Sequence, residues 1–404
     1  MFGSFFYPDG TQPEWAAIDC LQRLFMKWFN KLRLKQVLTF PVETFAMVHD
    51  GKDIIDKEYK DLCAEMYAEG HSFFTYLSDS ADSLASCCRL RNEVGDNTFS
   101  PTSGLTGIKT GSCNVITLNM NRIVQNWCRS IGGIPTVGNQ HDSLKFYLIN
   151  ILERVYKYHI AYKTMLYDWE DKGMFASSNG NYIHIKDLYS TVGLNGINES
   201  ALYLGLEVSN NPEYIEFLQL ILGTIKEQNK LHSIHDKKRP FLFNSEVVPA
   251  EGLGGKNYNW DLQDGYWVPD DRNLYNSYFY DAHDDTSVLD KLYLHGRSTY
   301  QYTDGGSAAH INLDAHLSKE QYLKILDYNV REGVQYFTFN IPNTKCNNCG
   351  HIVKAPMTEC PHCGGTDMTY YTRIIGYLRP TTSFGKDRAI EESTRTYSDG
   401  KSQI

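Results

Sequence analysis

The chain has 404 residues, 42% of them hydrophobic and 22% charged, with a formal net charge of −9. That length can bury a large core, in about two or three domains of ordinary size. The acidic balance excludes a surface built as a whole to hold nucleic acid or an anionic membrane, and the aromatic share of 13% excludes long disordered stretches.

In chain order, residues 14–33 read as an amphipathic helix, because Trp15, Ile18, Leu21, Phe25 and Phe29 recur at helical intervals. Val37 to Val42 reads as a short buried strand ended by its proline. Residues 56–70 fit a helix, and Phe73 to Leu77 a strand. A small-residue loop, Ser78 to Ser86, then leads into Cys87-Cys88-Arg89-Leu90. A glycine-rich turn from Gly104 to Gly111 precedes a strand from Asn114 to Asn119. Helical patterns run from Ser143 to Trp169 and from Glu213 to Lys230. The stretch 251–286, dense in Asn, Asp, Gly and Tyr, reads as irregular loops. A last helix, Lys319 to Glu332, leads to the strand Tyr336 to Asn340. Strands alternating with long helices predict an α/β architecture with a largely parallel sheet. No apolar run is long enough to span a bilayer and no secretory leader opens the sequence, so the cysteines are expected reduced, in the cytoplasm.

Four of the ten cysteines form two CxxC pairs, Cys346/Cys349 and Cys360/Cys363, each followed by glycine. That spacing suits a closed tetrahedral site of four thiolates, which holds structural zinc and leaves no position open for catalysis. His362, between two ligands, is expected exposed. The boundary of this ribbon falls at Pro342 to Lys345.

Downstream, Gly376 sits in the apolar run Arg373-Ile374-Ile375-Gly376-Tyr377-Leu378. A glycine there marks either a bulge or close backbone approach, or a backbone radical site, since only glycine has an α-carbon free to flatten. The adjacent Cys87 and Cys88 are either two small buried hydrophobes or a loop tip that offers a thiol to a radical centre. Glu391 and Glu392 read as surface charges.

Taken together, Ser86 to Leu90, the segment Thr110 to Ile123, Gly193-Leu194-Asn195-Gly196-Ile197-Asn198-Glu199, the four-cysteine ribbon and Arg373 to Leu378 resemble the anaerobic (class III) ribonucleoside-triphosphate reductases. The resemblance implies a ten-stranded α/β barrel of the glycyl-radical enzyme type, here partial, with a zinc ribbon and a C-terminal radical arm. It divides the chain into a barrel portion at 1–342 with a finger loop near 78–90, a ribbon at 343–368 and an arm with tail at 369–404. It implies that Gly376 stores the radical and that Cys88, with Cys87 as its fallback, becomes the thiyl that takes the ribose 3′-hydrogen. Ser112 would face the substrate, and Glu251 is a further candidate whose plainer reading is a solvated loop carboxylate.

The resemblance also implies reduction of a ribonucleoside triphosphate, with a radical-SAM [4Fe–4S] activating enzyme and formate or a thiol system as reductant. Family members are longer on the N-terminal side. The expectation is therefore a partner chain completing the barrel, within a homodimer of the complete enzyme. Two other readings remain: a pyruvate formate-lyase-like glycyl-radical enzyme, and an inactive fragment that serves as a zinc-ribbon interaction module.

Overall fold

The computed structural model describes residues 14–79, 83–85, 91–93, 111–135, 141–248, 252–303, 307–373 and 378–400. Two compact units emerge, one made of Met1–Cys87, Ala282–Gly296 and Ala308–Ile404, the other of Cys88–Asp281 and Arg297–Ser307. The first unit opens with α1 (Trp15–Arg33), β1 (Thr44–Val48), α2 (Lys57–Ala68) and β2 (Phe74–Ser78). The second unit follows with β3 (Gly111–Asn119), α3 (Met120–Ser130), α4 (His141–Asp171), β4 (Leu188–Asn195), α5 (Ile197–Tyr203), α6 (Pro212–His232), β5 (Phe243–Val247) and α7 (Leu253–Gln263). The chain then returns to the first unit through α8 (Val288–Leu294), β6 (Ala309–Asn312), α9 (Lys319–Glu332) and β7 (Tyr336–Asn340). It ends with β8 (Asn343–Cys346), β9 (Ile352–Val353), β10 (Met368–Arg373), β11 (Leu378–Pro380) and α10 (Lys386–Thr394).

In the first unit the main sheet runs β1-β2-β7-β6. Its outer pairs are parallel, Thr44 facing Phe74 and Ala309 facing Phe337, while β2 and β7 meet antiparallel at Phe74 and Thr338. Its core is aromatic: Tyr67 stacks on Phe73 at 3.9 Å and on Tyr322 at 5.1 Å between ring centroids. Helix α9 begins at a capping box, in which Ser318 accepts from the Gln321 backbone and Gln321 reaches back to the Ser318 N–H. A second sheet, β9-β8-β10-β11, carries the cysteine knuckles. The second unit holds the sheet β3-β4-β5, parallel throughout.

Three expectations about elements fail, the first being the loop from Ser78 to Ser86, which holds a short strand at Ser83–Ala85. Val37 to Val42 is irregular, and the strand lies at Thr44–Val48. Pro41 has no N–H to give a ladder, and pairing starts where the Glu43 carbonyl accepts from Phe74 N–H at 2.9 Å. The stretch 251–286 is not loop throughout, since α7 crosses it. Its Asn and Asp side chains are spent on distant partners rather than on local turns: Asn257 donates to Asn195 at 3.1 Å, and Asp261 accepts from Asn119 at 3.0 Å.

Candidate active site and metal centre

The ribbon's four cysteines converge. The sulfurs of Cys346, Cys349, Cys360 and Cys363 all lie within 4.8 Å of one another. Cys346 and Cys363 stand 3.6 Å apart, as do Cys349 and Cys360. The edge of a zinc–thiolate tetrahedron is about 3.8 Å, from Zn–S bonds of about 2.3 Å, so the donor set fits that ion. Both knuckles are built alike. The N–H groups of Gly350 and Gly364 return to the carbonyls of Cys346 and Cys360 at 2.9 and 2.8 Å. Their φ angles of 77° and 69° are open to glycine and strained for other residues. Cys346 and Cys360 are buried while Cys349 and Cys363 are exposed, so the cluster has an inner and an outer edge. His362 is exposed and stacks on His351 at 5.7 Å.

The knuckle sheet runs on into β10 and β11, antiparallel strands with Arg373 opposite Leu378. Gly376 lies between them, outside the described residues, as do Cys87, Cys88 and Glu251. The described flank at Arg373 is heavily tied. Its N–H donates to Asn340 Oδ1 at 2.9 Å, and its Nε and Nη2 donate to Ser72 Oγ and O at 2.9 and 3.0 Å. The guanidinium lies 4.9 Å from the centre of the Phe74 ring, and Thr372 Oγ1 also donates to Asn340 Oδ1. Arg395 donates to the Arg373 carbonyl at 2.7 Å.

Glu391 holds Arg395 through two hydrogen bonds of 2.7 Å and takes a third of 2.9 Å from Arg388. Burial works to raise the Glu391 pKa, but the two guanidiniums outweigh it and hold the carboxyl below its usual range. Glu391 is therefore not a surface charge, being 4% exposed. The Arg388-Glu391-Arg395 spacing, one helical turn each way, was the available sequence signal.

In the second unit the polar side chains gather on one face of the parallel sheet. Register places Val115 opposite Thr191, Thr117 opposite Gly193 and Asn119 opposite Asn195, while Asn244 pairs with Thr191 and Glu246 with Gly193. The register slips between Ser112 and Asn114, where Cys113 is the extra residue. This bulge puts Ser112 on the Thr191 face and Cys113 against Ser190, at 3.7 Å. Ser112 Oγ sits 2.5 Å from Thr191 Oγ1.

At the carboxyl end of the sheet, Asn119 caps α3 by accepting from Arg122 N–H, and the buried Asp261 gathers the surrounding donors. Asp261 accepts from Arg122 Nε at 2.6 Å, Tyr275 Oη at 2.6 Å and Asn121 Nδ2 at 3.2 Å, besides Asn119. Glu199, also buried, accepts from Asn276 N–H at 3.2 Å and Arg272 Nη1 at 3.4 Å, while its Oε2 finds no partner among the described residues. Burial pushes its carboxyl up to about 7, against the pull of Arg272. The sequence pointed to the segment carrying Glu199; nothing in it singled out Asp261, Thr191 or Asn244.

The fold belongs to the mixed α/β class of barrel-type glycyl-radical enzymes. An anaerobic ribonucleotide reductase aligns with a TM-score of 0.79 and 24% identity, over 98% of this chain and 62% of its own. The Thermotoga maritima anaerobic ribonucleotide reductase, in complex with dATP and CTP, gives 0.77 and 25%, over 96% and 62%. The Clostridium butyricum B12-independent glycerol dehydratase gives 0.51 and 11%, over 98% and 56%. Among curated proteins none matches by sequence. The family model for anaerobic ribonucleoside-triphosphate reductases matches residues 10–397. The chain belongs to that family. It spans about 62% of the length of the two reductases. The pyruvate formate-lyase-like alternative and the inactive-module reading are not favoured. No described helix is long and apolar enough to cross a membrane.

Proposed function

We propose that this chain is the radical-bearing part of an anaerobic ribonucleoside-triphosphate reductase, working in the cytoplasm together with the remainder of the barrel, within a homodimer. In this reading residues 1–342 form the barrel portion, 343–368 the ribbon and 369–404 the radical arm. Gly376 stores the radical after a separate radical-SAM [4Fe–4S] enzyme removes its α-hydrogen, and Cys88, or Cys87 beside it, carries the thiyl. The thiyl takes the ribose 3′-hydrogen atom, the protonated 2′-hydroxyl leaves as water, and formate or a thiol pair supplies two electrons before the hydrogen returns. Ser112 faces the ribose. Cys346, Cys349, Cys360 and Cys363 hold zinc, whose part is to fix the ribbon.

The family match over residues 10–397 carries the reading. Two further observations support it. The strand ending at Arg373 is held from three sides, which suits a segment that must present one backbone carbon reproducibly. The Thermotoga maritima relative is described with dATP and CTP, which suits nucleotide triphosphates as ligands.

The test is electron paramagnetic resonance on the complete enzyme after anaerobic co-expression with the activating enzyme. The expected result is a carbon-centred doublet that disappears in Gly376→Ala and persists in Cys88→Ala, with CTP reduction lost in both. No doublet in a zinc-loaded, assembled protein overturns the proposal.

A further inference from the structure

The hydroxyls and amide that cross the second unit's sheet have a fixed polarity, and it reaches the exposed edge of that sheet. Asn244 turns its carbonyl oxygen toward Thr191, and Thr191 Oγ1 donates to it at 2.7 Å. A threonine hydroxyl has one proton, so Thr191 has none left for its other neighbour. Ser112 Oγ, 2.5 Å away, must then be the donor in the Ser112–Thr191 bond. Its own single proton is spent in turn, which leaves only lone pairs on Ser112 Oγ. Thr191 and Asn244 are buried, whereas Ser112 is exposed, and so is Val115, the next residue of β3 on the same face. The chain of bonds thus begins on a buried acceptor and ends on an accessible one.

We infer that Thr191 and Asn244 are positioning residues that make Ser112 an obligate hydrogen-bond acceptor for a ribose hydroxyl. The inference rests on the functional reading above, in which Ser112 faces the substrate, and adds the direction of the bond and the two residues that impose it. An obligate acceptor selects a sugar that has a hydroxyl proton to give. It gains nothing from a sugar lacking that hydroxyl, and a freely rotating serine would not discriminate as sharply because it could turn its proton elsewhere.

The test measures discrimination rather than affinity alone. The assembled protein is titrated with CTP and with its 2′-deoxy and 3′-deoxy analogues, for wild type, Thr191→Val, Thr191→Ser and Ser112→Ala. Wild type is expected to favour CTP over one of the two analogues by about tenfold, the scale of a single net hydrogen bond. Thr191→Val should weaken that preference and Ser112→Ala should abolish it, the double variant should match Ser112→Ala, and Thr191→Ser should retain the wild-type preference. Ser112→Ala changes an exposed position, so it keeps the test decisive if Thr191→Val unfolds. Wild-type preference that survives in both single variants overturns the inference and leaves the reductase reading intact. Failure of wild type to bind CTP at all, in a protein that assembles, overturns both.

Discussion

The carbonyl oxygen of Arg373 accepts a 2.7 Å hydrogen bond from Nη1 of Arg395, which lies 22 residues further along the chain. The same Arg395 guanidinium is held by both oxygens of Glu391, and Glu391 also takes a bond from Arg388. The C-terminal helix therefore closes over the end of β10, immediately before the segment that contains Gly376. It does so through charges removed from water, where a lost partner is costly.

Arg395→Ala is expected to destabilise the first unit by about 3 kcal/mol, because it leaves a buried carboxylate with one of its three hydrogen bonds. Arg395→Lys should recover only part of this, since an ammonium cannot span both oxygens of Glu391 while reaching the Arg373 carbonyl. Thermal unfolding measures the loss. Amide exchange resolved to β10 and β11 tests its location: unchanged protection at Thr372 and Arg373 in Arg395→Ala would sink the idea that this contact holds the arm.

The ribbon's unequal burial predicts unequal cysteines. Cys346→Ser and Cys360→Ser remove inner ligands and should take zinc from about one per chain to none, with loss of cooperative structure in β8 to β10. Cys349→Ser and Cys363→Ser, at the exposed edge, should bind zinc more weakly yet keep the sheet when zinc is in excess. Metal analysis together with circular dichroism during chelation separates the two pairs, and identical behaviour of all four variants would refute the inner and outer distinction.

Asp261 presents only acceptors to Arg122, Asn119, Asn121 and Tyr275. Asp261→Asn keeps the volume but turns an NH2 toward groups that are themselves donors, and removes the charge facing Arg122. A cost of about 3 kcal/mol is expected, from lost charge-assisted bonds and buried donors left unpaired. Asp261→Ala should cost a similar amount, although it removes more atoms. Chemical denaturation compares the two; an asparagine variant as stable as wild type would mean the carboxylate is not the organising group.

What the sequence made legible was local. Helix α9 and strand β7 match their expected bounds, Lys319 to Glu332 and Tyr336 to Asn340, because a capping box and an uninterrupted aromatic and β-branched run are self-contained signals. The knuckles were equally readable, since CxxC spacing fixes its own geometry. What failed depended on partners far away. Val37 to Val42 has strand-like residues, yet the ladder forms two residues beyond it, where β2 offers a partner. Helix α7 looked like loop because its Asn and Asp residues are spent on β3 and β4 rather than on turns. Glu391 looked solvated until two arginines closed over it. The polar face was hidden for another reason: one extra residue at Cys113 decides on which side Ser112 falls, and alternation alone cannot reveal a bulge.

Glu199 gives the pH prediction. Its carboxyl is fully buried, its bond to Arg272 is long at 3.4 Å, and Arg272 is already engaged by Asp271 and Asp281. Burial therefore dominates and raises the pKa from 4.5 to about 7. Between those values the folded state holds a proton that the unfolded state has released, so the favourable contribution is fully present below about 4.5, falls as pH rises, and is gone above about 7. Glu199→Gln keeps the shape and cannot titrate. The stability difference between wild type and this variant should shift by about 3 kcal/mol against wild type from pH 4.5 to pH 8, given about 1.4 kcal/mol for each unit of the raised pKa. Denaturation curves for both proteins across that range measure it. A difference independent of pH would mean that Glu199 stays ionised, and that Arg272 rather than burial governs its charge.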